Sequence, residues 1–409
     1  MRLQLSAPPG HLLNADIQIT GSKSESNRLL LLRALYPNIS IENLSNSDDS
    51  RFMQKGLSKR DGLVDIHHAG TAMRFLTAYF ACQKGAEVIL TGSERMKQRP
   101  IKVLVEALHK LGAEIEYVEK DGFPPIRIRG RHLSKTKTSL PANISSQYIS
   151  ALLLIAPSLD NGLELSLEGD ITSVPYIKMT CALLSELGIE NTFNSNRIRV
   201  SGRKSIAKKT IVVESDWSSA SYIYSIVALA AEGSQIRLSS YKEDSLQGDR
   251  ILSEIYQEFG VETRFEDHCM VLRKKHLHSF SKFTYDLANA PDLAQTIAVN
   301  CFGLGVACDL TGLHTLKIKE TDRLLALKTE LTKLGAEISV TDNRLMLNAG
   351  DFIKQNVAID TYNDHRMAMA FAPLALRTQL SINDAEVVSK SYPGFWEDLK
   401  LLGITASET

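Results

Sequence analysis

One motif recurs through the 409 residues and restricts the fold more than any other feature: an amphipathic helix, then Leu-Gly or Phe-Gly, then a short alternating strand. It reads PIKVLVEALHKLGAEIEYV, YIKMTCALLSELGIENTF, RILSEIYQEFGVETRF, RLLALKTELTKLGAEISV and, more weakly, FWEDLKLLGITA. Gly112, Gly188, Gly260, Gly335 and Gly403 each fall where a helix ends in a left-handed residue, a conformation that costs glycine little. Successive copies lie roughly 70 residues apart, too far for a solenoid unit and suited to a repeated α/β subdomain. A sixth, degenerate copy fits DDSRFMQKGLSKRDGLVDI. Six copies predict an α/β protein of two domains with three units each, and the chain is longer than one hydrophobic core usually supports.

A second periodicity interleaves with the first. Short polar clusters stand directly before apolar helices: GSKSESNRLLLLRAL, AGTAMRFLTAYFA, NISSQYISALLLIA, ESDWSSASYIYSIVALAA, NAPDLAQTIAVNC and YNDHRMAMAFAPLAL. Helices hydrophobic on nearly all faces are buried ones. Their first residues supply Ser, Thr, Asn, Asp and Gly, which cap, but also Lys and Arg, the wrong sign for the positive end of a helix dipole. Cations tolerated there imply an anion held between them and the helix start.

The whole-chain charge says nothing of this. Lys plus Arg and Asp plus Glu each number 47, for a formal net charge of zero, which gives no field for nucleic acid or an anionic membrane. The longest apolar windows, Ala151–Pro157 and Ile223–Ala231, fall short of the roughly 20 residues of a spanning helix. MRLQLSAPPGHLLNADIQIT carries no apolar run of signal-peptide length, and the five cysteines include no CxxC pair. The reading is a cytoplasmic protein with reduced thiols.

Each cluster has a plain reading beside the functional one. Gly21-Ser22-Lys23-Ser24 with Arg28 resembles a phosphate loop without being a Walker A motif; it is equally a Ser-capped helix with exposed cations. Arg95, Lys97 and Arg99 before Pro100 form either an anion site or a solvated basic loop. Ser145, Ser146 and Gln147, and Ser173 with Tyr176, are capping material that also suits a phosphate or polyol, while Asp292 after Pro291 reads as an N-cap. Lys319-Glu320-Thr321-Asp322-Arg323 and Asn363-Asp364-His365-Arg366 pack cations and anions at helix starts; Lys390 alone is unremarkable. The histidines have no zinc spacing: His67 and His68 would point apart on a strand, and His276 and His278 sit in a basic segment. No G-x-S-x-G or G-x-G-x-x-G occurs.

Taken together, GSKSESNR, AGTAMRF, RMKQRPI, SSQY, SVPYIK, DWSSASY, PDLAQT, KETDRL and YNDHRMAMA resemble, in order and approximate spacing, the 5-enolpyruvylshikimate-3-phosphate synthases, from about Ala7 to Lys390. KETDRL and NDHRMAMA are the most specific of these. The resemblance implies two globular domains, each of three βαβαββ-type units with buried parallel helices, and an active site in the cleft between them. It places one domain at 21–214, on the shikimate 3-phosphate side. The other comprises 1–20 and 215–409, on the phosphoenolpyruvate and acid–base side. The implied reaction joins the two substrates by addition and elimination through a tetrahedral ketal, on the route to chorismate, with no metal or cofactor, in a monomer. Asp292, Glu320, Lys23 and His365 would be catalytic. Lys23, Ser24, Arg28, Ser145, Ser146, Gln147, Ser173, Tyr176, Asp292, Thr315 and Lys319 would hold shikimate 3-phosphate. Phosphoenolpyruvate would meet Lys23, Gly70, Arg99, Gln147, Arg323, Arg366 and Lys390.

Three positions depart from the family pattern: His67-His68 replace Gly-Asn, Phe75 replaces Pro, and Thr315 replaces Asn. They bear on substrate affinity and on sensitivity to glyphosate, which occupies the phosphoenolpyruvate site in this family. A UDP-N-acetylglucosamine enolpyruvyl transferase, a binding protein on the RNA 3′-phosphate cyclase-like fold and a catalytically inactive relative are the competing readings.

Overall fold

The computed structural model describes residues 1–8, 10, 12–277 and 281–409; His278 therefore lies outside the described residues. The chain divides into two compact units, one of Gly21–Val213 and one of Met1–Thr20 with Glu214–Thr409. Each has a hydrophobic core of its own.

In the Gly21–Val213 unit, strands Asp61–Asp65 and Glu87–Thr91 run parallel, joined by the helix Gly70–Cys82. The helix Lys102–Leu111 then leads into the antiparallel pair Glu114–Tyr117 and Ile126–Arg129, with the latter strand next to Glu87–Thr91. The same βαβαββ plan, with its third and fourth strands exchanged in the sheet, orders Lys137–Pro141, Leu163–Glu168, Arg197–Val200 and Asn191–Asn194. The third sheet is cut down to Ile39–Glu42 beside Lys209–Val212. This is the degenerate copy: its helix Asp48–Leu57 forms, but the next strand, Asp61–Asp65, opens the following sheet, so no hairpin is left for it.

The other unit repeats the plan three times, and the N-terminal residues are stitched into two of its sheets. Asn14–Ile17 runs parallel to Gln235–Ser239, so the first crossover of that sheet contains the whole of the other unit. Leu3–Ser6 sits between Leu380–Ile382 and Thr405–Glu408, supplying the hairpin partner that the C-terminal repeat lacks. The third sheet is Lys282–Asp286, Ala307–Thr311, Leu345–Leu347 and Ile338–Val340.

The five repeat glycines all take the left-handed region, with φ of 101, 74, 74, 105 and 74° for Gly112, Gly188, Gly260, Gly335 and Gly403, and all but Gly260 stand directly at a helix end. The apolar helices are buried as their composition requires: Gly70–Ala81 and Trp217–Leu229 bury nearly every residue. One helix is shorter than its pattern. The RILSEIYQEFG stretch forms a 3₁₀ turn, Gly248–Ile251, and a single α turn, Leu252–Ile255. Among the described residues, no helix is long and apolar enough to cross a membrane.

Candidate active site

In the Gly21–Val213 unit, the second turns of four buried helices meet around one guanidinium. Arg28, on the helix Lys23–Leu35, is 2% exposed. Its Nε donates to Thr180 Oγ1 (2.8 Å), Nη2 to Ser150 Oγ (3.0 Å) and the Tyr176 carbonyl (3.3 Å), and Nη1 to the Ser24 carbonyl (2.7 Å). Phe75 and Tyr176 lie against it, with ring centroids 5.5 and 5.9 Å from the guanidinium carbon. These bonding partners are all neutral. Burial pushes Arg28 down to about 10, as expected of a cation withdrawn from water without a carboxylate in contact. Phe75, one of the three departures, thus stacks on this cation.

Beside this cluster stands a second group. Ser145 caps the helix Ser146–Ile155, its Oγ accepting from Gln147 N (3.3 Å), and the Gln147 amide reaches Thr71 Oγ1 (3.4 Å) at the start of the Gly70 helix. Arg99 packs against Gly70 so closely that a β-carbon there would lie 2.6 Å from Arg99 Nη1 and would displace the guanidinium. The basic loop is therefore split: Arg95 is exposed, Lys97 pairs with Glu119 (3.2 Å), and Arg99 is buried. Ser173 takes φ 55° at the start of the helix Val174–Glu186 and makes no capping bond.

The expected divergence of His67 and His68 is overturned. The strand ends at Asp65, His67 turns into the left-handed region at φ 49°, and the two Nδ1 atoms come within 2.7 Å. A residue with positive φ breaks the alternation that would send neighbouring side chains to opposite faces.

The other unit builds an ion cluster on Asp292. This residue lies in the 3₁₀ turn Pro291–Leu293 and does not cap the helix that follows. Its Oδ1 accepts from Arg323 Nη1 (2.8 Å) and pairs with Lys319 (3.3 Å), and its Oδ2 accepts from Arg366 Nη2 (3.1 Å). Arg323 is 1% exposed and also binds Glu320 Oε2 (2.9 Å) and Asp364 Oδ2 (2.7 Å). Asp364 caps the helix His365–Phe371 by accepting from Arg366 N (2.9 Å). Arg366 reaches the Tyr222 hydroxyl (3.3 Å) and Ser218 Oγ (3.4 Å), and burial pushes the Tyr222 phenol up to about 12. Lys390 donates to the Asn363 carbonyl, and His365 is buried with Nδ1 3.7 Å from Asp364 Oδ1. The cluster formally balances three cations, Lys319, Arg323 and Arg366, against Asp292, Glu320 and Asp364. Removing one partner from a buried pair of this kind costs roughly 3–5 kcal/mol, because the remaining charge is left uncompensated.

A model of the EPSP synthase family (3-phosphoshikimate 1-carboxyvinyltransferase) matches residues 55–399. A 3-phosphoshikimate 1-carboxyvinyltransferase of Bacteroides fragilis (strain YCH46) is 45% identical over 407 residues, covering 98% of each chain. That of Histophilus somni (strain 2336) is 35% identical over 432 residues, covering 97% of this chain and 98% of its own. The chain belongs to the EPSP synthase family. Its fold matches the EPSP synthase of Acinetobacter baumannii with a TM-score of 0.78 at 20% identity over the full length of both chains. The enolpyruvyl transferase NikO of Streptomyces tendae has the same fold, with a TM-score of 0.74 at 13% identity and coverage of 100% and 99%.

In this member of the EPSP synthase family, Lys23, Ser24, Arg28, Gly70, Arg99, Ser145, Ser146, Gln147, Ser173 and Tyr176 belong to the Gly21–Val213 unit, and Asp292, Thr315, Lys319, Glu320, Arg323, His365, Arg366 and Lys390 to the other. Thr315 lies in the 3₁₀ turn His314–Ile318, just ahead of Lys319, and its hydroxyl has no hydrogen-bond partner among the described residues. Asp364, part of the cluster already singled out, holds Arg323, but sequence reasoning missed Ser150 and Thr180, which orient Arg28, and Tyr222, which orients Arg366. The available signal was a polar side chain on a helix otherwise apolar all round. It also missed Asp249, a buried carboxyl in the 3₁₀ turn Gly248–Ile251 whose Oδ1 has no partner among the described residues.

Proposed function

We propose that this chain transfers the enolpyruvyl group of phosphoenolpyruvate to the 5-hydroxyl of shikimate 3-phosphate, releasing phosphate, as a cytoplasmic monomer without cofactor. The observation that carries the reading is that Asp292 and Glu320, two carboxylates suited to base and acid, are gripped by the same Arg323 guanidinium. In the addition step, Asp292 takes the proton of the 5-hydroxyl as that oxygen bonds to the central carbon of phosphoenolpyruvate. Glu320 gives a proton to the methylene carbon, which becomes a methyl. In the elimination step, the bond from that carbon to the phosphate oxygen breaks, phosphate leaves with the proton that Asp292 had taken, and a methyl proton returns to Glu320 to restore the double bond. Lys23 and His365 support these transfers.

Lys23, Ser24, Arg28, Ser145, Ser146, Gln147, Ser173, Tyr176, Thr315 and Lys319 hold shikimate 3-phosphate in this reading. Gly70, Arg99, Arg323, Arg366, Lys390, Lys23 and Gln147 receive phosphoenolpyruvate. Arg28 supports the first assignment, since a buried cation bonded to neutral groups is completed by an incoming anion. An Asp292 already accepting from three cations is poorly placed to take a proton. The substrate carboxylate competes for Arg323 and Arg366 and so releases Asp292 for its task. Each contact between unit charges is worth about 4 kcal/mol at an effective dielectric near 20, so the exchange is energetically balanced.

Phosphate release from the two substrates, without metal or nucleotide, tests the activity; no release, or release only with a UDP-sugar acceptor, rejects it. Glu320→Gln is expected to lower kcat by at least about a hundredfold with substrate binding little changed. An unaltered kcat removes Glu320 from its role.

A further inference from the structure

The turn that carries Asp364 and Arg366 is fixed to the Arg323 helix at two places. The first is the Asp364–Arg323 pair at the ion cluster. The second lies two helical turns further on, at Glu330, which is fully buried and outside the proposed chemistry. Glu330 Oε1 accepts from the Tyr362 hydroxyl (2.5 Å), and Oε2 accepts from Asp360 N (3.1 Å) and Lys333 Nζ (2.8 Å). Asp360 is itself held by Lys333 Nζ and Asn383 Nδ2, each at 2.7 Å.

Between this anchor and the start of the helix His365–Phe371, Tyr362 and Asn363 take φ of 53 and 55° in succession. Two adjacent non-glycine residues in the left-handed region are a strained turn that persists only when its surroundings hold it. The strain stands where it matters: Lys390 donates to the Asn363 carbonyl, and the next two residues are Asp364 and His365, followed by Arg366.

We propose that Glu330, acting through Tyr362, is a positioning residue for the phosphoenolpyruvate-binding cations: it holds the strained turn so that Arg366 and Lys390 address one anion. This rests on the enolpyruvyl-transfer reading. Burial and the Glu330 carboxylate together push the Tyr362 phenol up, so it remains a proton donor throughout the working range. Relaxation of the turn would move the two cations independently and weaken the grip on phosphoenolpyruvate. Most of the contacts assigned to shikimate 3-phosphate lie on other elements and would be spared.

Tyr362→Phe removes only the hydroxyl. It is expected to raise KM for phosphoenolpyruvate about tenfold, with kcat and KM for shikimate 3-phosphate within about twofold of wild type. Glu330→Gln should move the same constant in the same direction. A Tyr362→Phe enzyme with a lower Tm but an unchanged phosphoenolpyruvate KM, or with both KM values raised equally, overturns the proposal and reduces Glu330 to a structural role. Equilibrium titration of the wild-type protein with phosphoenolpyruvate and shikimate 3-phosphate separates the two readings. If the wild type neither binds nor turns over these substrates, the functional reading fails and this inference with it; normal wild-type kinetics with an unaltered Tyr362→Phe KM overturns the latch alone.

Discussion

Asp249 shows what burial does to a single group near the ion cluster. Removal from water pushes its carboxyl up to about 7; the charge of Arg366 opposes the rise, and those of Asp292 and Asp216 add to it. An acid whose folded value lies above its unfolded value, about 3.8, holds its proton more tightly when folded. Folding therefore loses stability as pH rises from about 4 to about 7, and the full cost, at most roughly 4 kcal/mol, is present above that window. Asp249→Asn is accordingly expected to raise Tm more at pH 8 than at pH 5. Thermal melts showing equal gains at the two pH values would contradict this. None of it was visible in the QGD of the sequence, because the cause is not the neighbours in the chain but the packing around the turn.

At the scale of elements, two glycines separate two kinds of constraint. Gly112 closes its helix at φ 101° with no atom within 4 Å of where a β-carbon would stand, so only the backbone resists a side chain. Gly112→Ala should cost about 1–2 kcal/mol. Gly21 has the opposite problem: a β-carbon would lie 1.8 Å from the Asn43 carbonyl oxygen and 2.8 Å from Val213 Cγ1. Gly21→Ala should cost more than Gly112→Ala, on the order of 3 kcal/mol or above, since backbone must move. Urea unfolding of the two variants ranks them, and the reverse order would refute the argument. The Leu-Gly repeat announced the first glycine, because helix termination is local. The second owes its place to a contact across 22 residues with Asn43 and to the returning strand at Val213.

For the whole molecule, the proposed mechanism assigns the two substrates to side chains from both units: Lys23, Arg28 and Arg99 from one, Asp292, Glu320 and Arg366 from the other. Both ligands together are expected to lower the radius of gyration in small-angle scattering, because the released binding energy favours a closed state. Equal scattering with and without both ligands would count against this. PDLAQT, KETDRL and NDHRMAMA marked the acid–base residues in advance. That Asp364 and Tyr222 hold Arg323 and Arg366 required the fold, which brings residues 41 and 144 positions apart into contact.

Residue order was enough for the repeats, for the glycines that end four of their helices, for the apolar helices that had to be buried and for the polar clusters at their starts. Each of these follows from periodicity and local backbone preference, which neighbouring residues impose. The tertiary structure alone decided how charge is disposed. Cations at helix starts suggested a site poised for an anion, whereas Arg323 is paired with Asp292, Glu320 and Asp364, and Arg366 with Asp292. Arg28, by contrast, rests among hydroxyls, carbonyls and aromatic rings. Both sets of residues look alike in a string of letters. The difference is one of distance and burial, on which the energy of a charge depends, and those are fixed only when remote segments pack together.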